Sequence, residues 1–200
     1  MKKKALLLLL LWIPHAYCDS VSDALQTKLN AMRTMSATFN QIVTANKRQV
    51  SHSSGTMALS RPGLFRWQTK RPMAQLVIAD GQRLWVYDAD LEQVSVKKQD
   101  KGLGGTAALF LSSYDNTVAR DFVVTVNQQG SVFDLRAKSN KANFQRVTLT
   151  FDGALLSGIE LFDQLGQHTD VHLTNSKANP KLAANLFQFK PPKGVDVVEQ

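Results

Sequence analysis

Between Arg61 and Val96 the chain alternates strand-length runs with turn signals, and two of its three tryptophans fall inside those runs. Leu64 to Thr69 sets Phe65 and Trp67 against Arg66 and Gln68, and Gln75 to Ala79 is a short apolar run. Arg83 to Asp88 carries Trp85 and Tyr87, and Glu92 to Val96 alternates Val94 and Val96 with polar neighbours. Arg61-Pro62-Gly63, Arg71-Pro72, Asp80-Gly81 and Asp88-Ala89-Asp90 separate them, and Asp-Gly is a strong hairpin signal. The segment therefore reads as four consecutive antiparallel strands.

The flanking sequence extends this sheet. Ser20 or Ser22 can cap a helix whose apolar stripe is Val21, Leu25, Leu29 and Met32. Strands are predicted over Thr38 to Ala45 and Gly55 to Ser60, with Asn46 to Ser54 as a polar loop between them. Lys97 to Gly105 is charged and glycine-rich. Thr106 to Ser112 reads as a short helix or lid-like turn, with Leu109 and Phe110 as its buried members. A second strand series follows: Phe122 to Gln128, Val132 to Lys138, Phe144 to Phe151, Leu155 to Phe162 and Thr169 to Thr174. Up-and-down connectivity is the simplest path through so many short hairpins. Residues 178–195 read as a turn of helix and a final extended strand.

At the other end, Met1 to Cys18 has three lysines, an apolar core from Ala5 to Ile13 and a short polar end, which is the layout of a secretory signal peptide. The apolar run is too short to span a bilayer. Cleavage after Ala16-Tyr17-Cys18 would leave residues 19–200 as one domain beginning at Asp19, without the chain's single cysteine and hence without disulfides. The competing reading, a lipid anchor on Cys18, requires a small residue where Tyr17 stands and an aliphatic one where His15 stands. Loss of Lys2, Lys3 and Lys4 lowers the formal net charge from +8. The moderate basic excess that remains suits acidic partner surfaces or anionic headgroups, and an exported chain is not expected to meet nucleic acid.

Catalytic patterns are missing where they would be sought. There is no glycine-x-serine-x-glycine elbow, phosphate-cradling glycine loop or Glu-x-x-His pattern. His168 and His172 lie four apart, but in a strand that spacing spans about 13 Å, too far for one metal ion. Asp88 and Asp90 read as turn residues and not as a calcium loop. No enzyme, metal or cofactor is expected. A secreted hydrolase is the reading this argues against, and turnover of esters or glycans would restore it. The sequence instead presents an excess of soft apolar groups. Leu29, Met32, Met35, Phe39, Met57, Phe65, Trp67, Trp85 and Phe110, with Met73, form a methionine- and aromatic-rich set suited to the adaptable walls of a cavity.

The run RPGLFRW, a following proline, DGxxLWxYxxxLEQV, and the terminal Phe-x-Phe-x-Pro-Pro-x-Gly-Val at Phe187 to Val195 resemble the signature of the periplasmic outer-membrane lipoprotein carriers, the LolA family. The resemblance implies a mainly β fold with some α: an unclosed antiparallel β-barrel, a half-barrel, with helices covering its concave apolar face. It further implies a monomeric periplasmic chaperone that takes lipoproteins from an inner-membrane ABC transporter and passes them to the outer-membrane receptor lipoprotein LolB. Phe65 matches the phenylalanine of the family motif. Arg61 matches the arginine thought to latch the helical lid. The alternative is a related half-barrel that senses lipid or unfolded protein in the periplasm. Such sensors usually carry a second domain and a membrane helix.

Overall fold

The computed structural model describes residues 20–99, 111, 117–139 and 144–200. Helix α1 (Val21–Ala31) starts at Ser20, whose Oγ accepts the backbone N–H of Asp23 at 3.2 Å and donates to the Asp23 carboxylate at 2.7 Å. That pairing chooses Ser20 over Ser22 as the cap. Leu25 and Leu29 are buried, as is Met32 just past the helix, but Val21 is 36% exposed. The predicted stripe is therefore one residue too long at its start.

Among the described residues, twelve strands form one sheet: β1 (Thr34–Ala45), β2 (Arg48–Ser60), β3 (Leu64–Arg71), β4 (Gln75–Asp80), β5 (Arg83–Asp88), β6 (Gln93–Lys98), β7 (Phe122–Val126), β8 (Val132–Ala137), β9 (Phe144–Asp152), β10 (Leu155–Asp163), β11 (His168–Ala178) and β12 (Asp196–Glu199). Their order is β12-β6-β5-β4-β3-β2-β1-β11-β10-β9-β8-β7. The sheet is open, ending at β12 and β7, as expected for an unclosed barrel. Connectivity is up-and-down only within two meanders, β1 to β6 and β7 to β11. They join where β1 lies antiparallel to β11, with Phe39 opposite Leu173 and Val43 opposite Thr169. The chain between β6 and β7 thus connects opposite sides of the sheet, passing through Leu111, which is buried in the core, and helix α2 (Thr117–Asp121). The predicted helix or turn at 106–112 otherwise lies outside the described residues.

Asn46 to Ser54 does not form the predicted loop. β1 and β2 continue to a two-residue turn in which Asn46 and Lys47 take φ of 51° and 62°, the left-handed pair of a type I′ hairpin. The β2 arm of this distal hairpin, Arg48 to Ser54, carries Val50 as its single apolar residue, so hydrophobic alternation could not reveal it. His52 accordingly lies within β2, its Nε2 2.6 Å from Asn40 Oδ1.

The core fills the concave face, where α1 and α2 pack, and includes residues of both meanders. The convex side carries a smaller apolar layer under the C-terminal tail. A 3-10 turn at Ala184–Phe187 packs on β3 and β4, Arg66 Nη1 donates to the Leu186 carbonyl at 3.3 Å, and β12 pairs in parallel with β6. Burial there lowers the Arg66 pKa from its ordinary value.

Candidate functional site

Because strand side chains alternate between faces, the concave surface of β2 to β5 is organised in cross-strand rows. Leu59, Phe65, Ala79 and Leu84 form the deepest. Met57, Trp67, Val77 and Val86 form the next, and Gly55, Thr69, Gln75 and Asp88 the one beyond. From Phe65 to Thr69 the surface climbs roughly 13 Å and changes from wholly apolar to polar. Across the other meander the same change occurs: Leu173 pairs with Phe39, then Val171 with Gln41, then Thr169 with Val43.

These rows enclose a cavity of about 420 Å³. Its walls are Met57, Phe65, Trp67 and Val77 from the first meander and Ile159, Leu161 and Val171 from the second, with Leu111 against them. Gln41, Ser51, Ser53, Thr69, Gln75 and Thr169 supply a polar rim. Met73, 62% exposed, and Pro72 stand at the mouth with Phe144 and Asp88. This arrangement can remove a flexible apolar chain from water while a polar head stays hydrated.

The candidate residues divide by position. Met57, Phe65 and Trp67 line the cavity. Phe39 lies behind Trp67, with ring centroids 3.8 Å apart and 21° between planes, a stack worth about 0.5–1.5 kcal/mol beyond its burial. Leu29, Met32 and Met35 are buried in the same core, 1–3% exposed, but at the α1 end, where they form its floor and not the cavity wall. Phe110 lies outside the described residues. Arg61 follows β2 at this deep end with only 7% of its surface exposed, and its backbone N–H donates to the Arg33 carbonyl at 2.8 Å.

Trp85 requires a correction, because it is on the convex face. It pairs with Ile78, one residue out of phase with the Val77–Val86 pair that faces the cavity. Its ring packs on Phe189, centroids 5.6 Å apart, and its Nε1–H donates to Asp80 Oδ2 at 2.8 Å. Both faces of β5 are covered, so an aromatic there does not reveal its side. The cavity residues not anticipated come largely from β10 and β11: Ile159, Leu161 and Val171. Their signal was present in the alternation of Ile159 and Leu161 and of Val171 and Leu173.

The two histidines of β11 occupy the convex face. His168 stacks on Phe162, centroids 4.4 Å apart, with Nε2 3.2 Å from Glu160 Oε2, and His172 sits opposite Asn40. Among the described residues no three His, Cys, Asp or Glu side chains gather as metal ligands.

The family profile described as "Outer membrane lipoprotein carrier protein LolA" matches residues 30–190. An outer-membrane lipoprotein carrier protein of Legionella pneumophila (strain Corby) is 60% identical over 202 residues, covering 100% of both chains. One from Pseudomonas syringae pv. syringae (strain B728a) is 38% identical, covering 92% of this chain and 91% of that protein. The crystal structure of an uncharacterized conserved protein from Thermus thermophilus aligns with a TM-score of 0.51 at 15% identity, over 88% of this chain and 96% of that one, a likeness of fold. The matched family profile, the two carrier relatives and the open half-barrel with its apolar concave cavity place the chain in the LolA family of outer-membrane lipoprotein carrier proteins.

Proposed function

We propose that this protein is a soluble periplasmic chaperone that shields the acyl chains of lipoproteins between the inner and outer membranes. The observation that carries this reading is the cavity of about 420 Å³, apolar at depth and polar at its rim, on the concave face of an open sheet. Burying an acyl chain is worth about 0.8 kcal/mol per methylene, so a multiply acylated protein exposes apolar surface worth on the order of tens of kcal/mol in water. Reversible shielding offsets that cost without chemistry, so the protein acts as a carrier and not as an enzyme. An open sheet walled by Met57 and aromatic side chains can adapt to chains of different shape.

The carrier receives cargo from an inner-membrane ABC transporter and delivers it to the receptor lipoprotein LolB. Residues 1–18 direct export and are removed, leaving Asp19 first. No described helix is long and apolar enough to cross a membrane. Met57, Phe65 and Trp67 contact the acyl chains, and Arg61 is the latch that the family resemblance implies.

Phe65→Glu tests the reading. Phe65 is fully buried yet lines the wall, so a carboxylate there must stay hydrated inside the cavity or become neutral, and both oppose acyl burial. The variant should keep the strand signal in circular dichroism and lose lipoprotein release from inner-membrane preparations. Normal release by a folded variant would refute the carrier reading. Mass spectrometry of periplasmic copurification adds an independent outcome: acylated proteins support the carrier, and unfolded outer-membrane proteins alone support the sensor alternative.

A further inference from the structure

Among the described residues that line the cavity, Asp88 alone carries a charge. It ends β5 on the concave face, beside Gln75 of β4 and Gln93 of β6, in the row that continues through Thr69. The turn after β5 needs a hydrogen-bond acceptor at this position, since Asp88 Oδ1 receives the Leu91 backbone N–H at 3.3 Å. An asparagine oxygen would serve that turn equally well. The negative charge is therefore surplus to the turn and faces the place where an amphiphile's head would rest.

We propose that Asp88 is a specificity-determining residue that disfavours anionic amphiphiles at the cavity mouth and so selects neutral acyl-glycerol heads over fatty-acid or phosphate heads. The proposal rests on the carrier reading, and it adds how such a cavity stays clear of the anionic lipids that surround its cargo. The neutral rim of Ser51, Ser53, Thr69 and Gln75 can hydrogen-bond ester and glycerol oxygens. A carboxylate at the same level repels a second anion across a partly desolvated mouth, where the interaction is less screened than in bulk water. Arg71 pairs with Ser54 across a register shift from the Gly55–Thr69 pair, stands outside the cavity lining and is exposed to solvent, which weakens any compensating attraction.

The test uses the exported, purified protein and two probes with one twelve-carbon chain: monolaurin, with a neutral glycerol head, and laurate, an anion. Calorimetric titration is done below the micelle concentration at pH 8. The wild-type protein should bind monolaurin more tightly, and Asp88→Asn should narrow the monolaurin-to-laurate affinity ratio by about tenfold, mainly by tightening laurate. Asp90→Asn, which removes an exposed carboxylate from the same turn, should leave the ratio unchanged. An unchanged ratio in folded Asp88→Asn, or equal narrowing by Asp90→Asn, would overturn the assignment while leaving the carrier reading intact. Binding of neither probe to the wild-type protein would instead refute the acyl-binding cavity itself, and this proposal with it.

Discussion

Gly55 shows how one missing side chain shapes the wall. A Cβ placed there would lie 1.9 Å from the Gln68 carbonyl oxygen and 2.9 Å from the Phe39 ring, so only glycine lets Phe39 slide across β2 to stack on Trp67. Gly55→Ala should lower unfolding stability by about 1–3 kcal/mol and alter Trp67 emission, measured by denaturant titration. Stability equal to wild type would show that the sheet shifts freely at this point. Asp80 makes the complementary polar case at the opposite end of β4. Burial alone would raise its carboxyl, but hydrogen bonds from Trp85 Nε1–H and the backbone N–H groups of Arg83 and Gln82, with the Arg83 charge, hold it below the usual carboxylate value. Its stabilising contribution is therefore complete above the unfolded value of about 3.9 and is lost as pH falls through the lower folded value. In Asp80→Asn an amide NH2 must face one of these donors. The loss should be about 1 kcal/mol at neutral pH, reduced by solvent screening, and the difference from wild type should shrink below about pH 4 in pH-dependent unfolding curves. A difference independent of pH would assign the effect to the turn geometry alone.

At the level of elements, the β1–β2 hairpin demonstrates that strand formation can outrun hydrophobic pattern. Its proximal half alternates Met35, Ala37 and Phe39 against polar residues, and its distal half is held by cross-strand pairing alone, with Ile42 opposite His52 and Thr44 opposite Gln49. The tip is strained because Lys47, which has a Cβ, takes a left-handed conformation at φ 62°. Lys47→Gly should relieve that strain and raise stability by about 0.5–1 kcal/mol after the added unfolded-state entropy of glycine, measured by chemical denaturation. Equal or lower stability would show that the turn is not the weak point of the hairpin. Ser51 and Ser53 on this arm also give the cavity rim its reach, so the element a hydropathy reading leaves as a loop contributes directly to the site.

For the whole molecule, the decisive feature is that the two meanders meet along β1 and β11, which turns two modest sheets into one curved surface around a shared core. With Arg61 buried at the deep end, the proposed latch predicts that Arg61→Leu folds normally, populates the open form and retains cargo that should pass to the receptor. Charged hydrogen bonds of this kind are worth roughly 1.5–3 kcal/mol, enough to shift such an equilibrium tenfold or more. Hydrogen exchange over residues 20–35 and 106–112 should rise in the variant. Unchanged protection together with wild-type transfer would remove Arg61 from the gating mechanism.

Local chemistry made the strand runs between Arg61 and Val96 legible, because period-two alternation and Pro-Gly and Asp-Gly turns act over a few residues. The same is true of the second strand series and of the helix near Ser20, and the family signature carried the half-barrel and the carrier class. The sequence could nominate Met57, Phe65 and Trp67 as wall residues, since a large apolar group must be buried somewhere. It could not say where. Trp85 and Trp67 are equally apolar by composition, yet one lies beneath the C-terminal tail and the other in the cavity, because β5 is covered on both faces. Nor could it place Ile159 and Val171 opposite Phe65, since that meeting depends on β11 pairing with β1 from the far end of the chain. Long-range strand pairing leaves no local trace in hydropathy. The sequence by itself determined most of the strands and where their apolar residues fall, and only the tertiary structure extended the β1–β2 hairpin and decided which side of each strand faces the cavity, because both depend on pairing with distant strands.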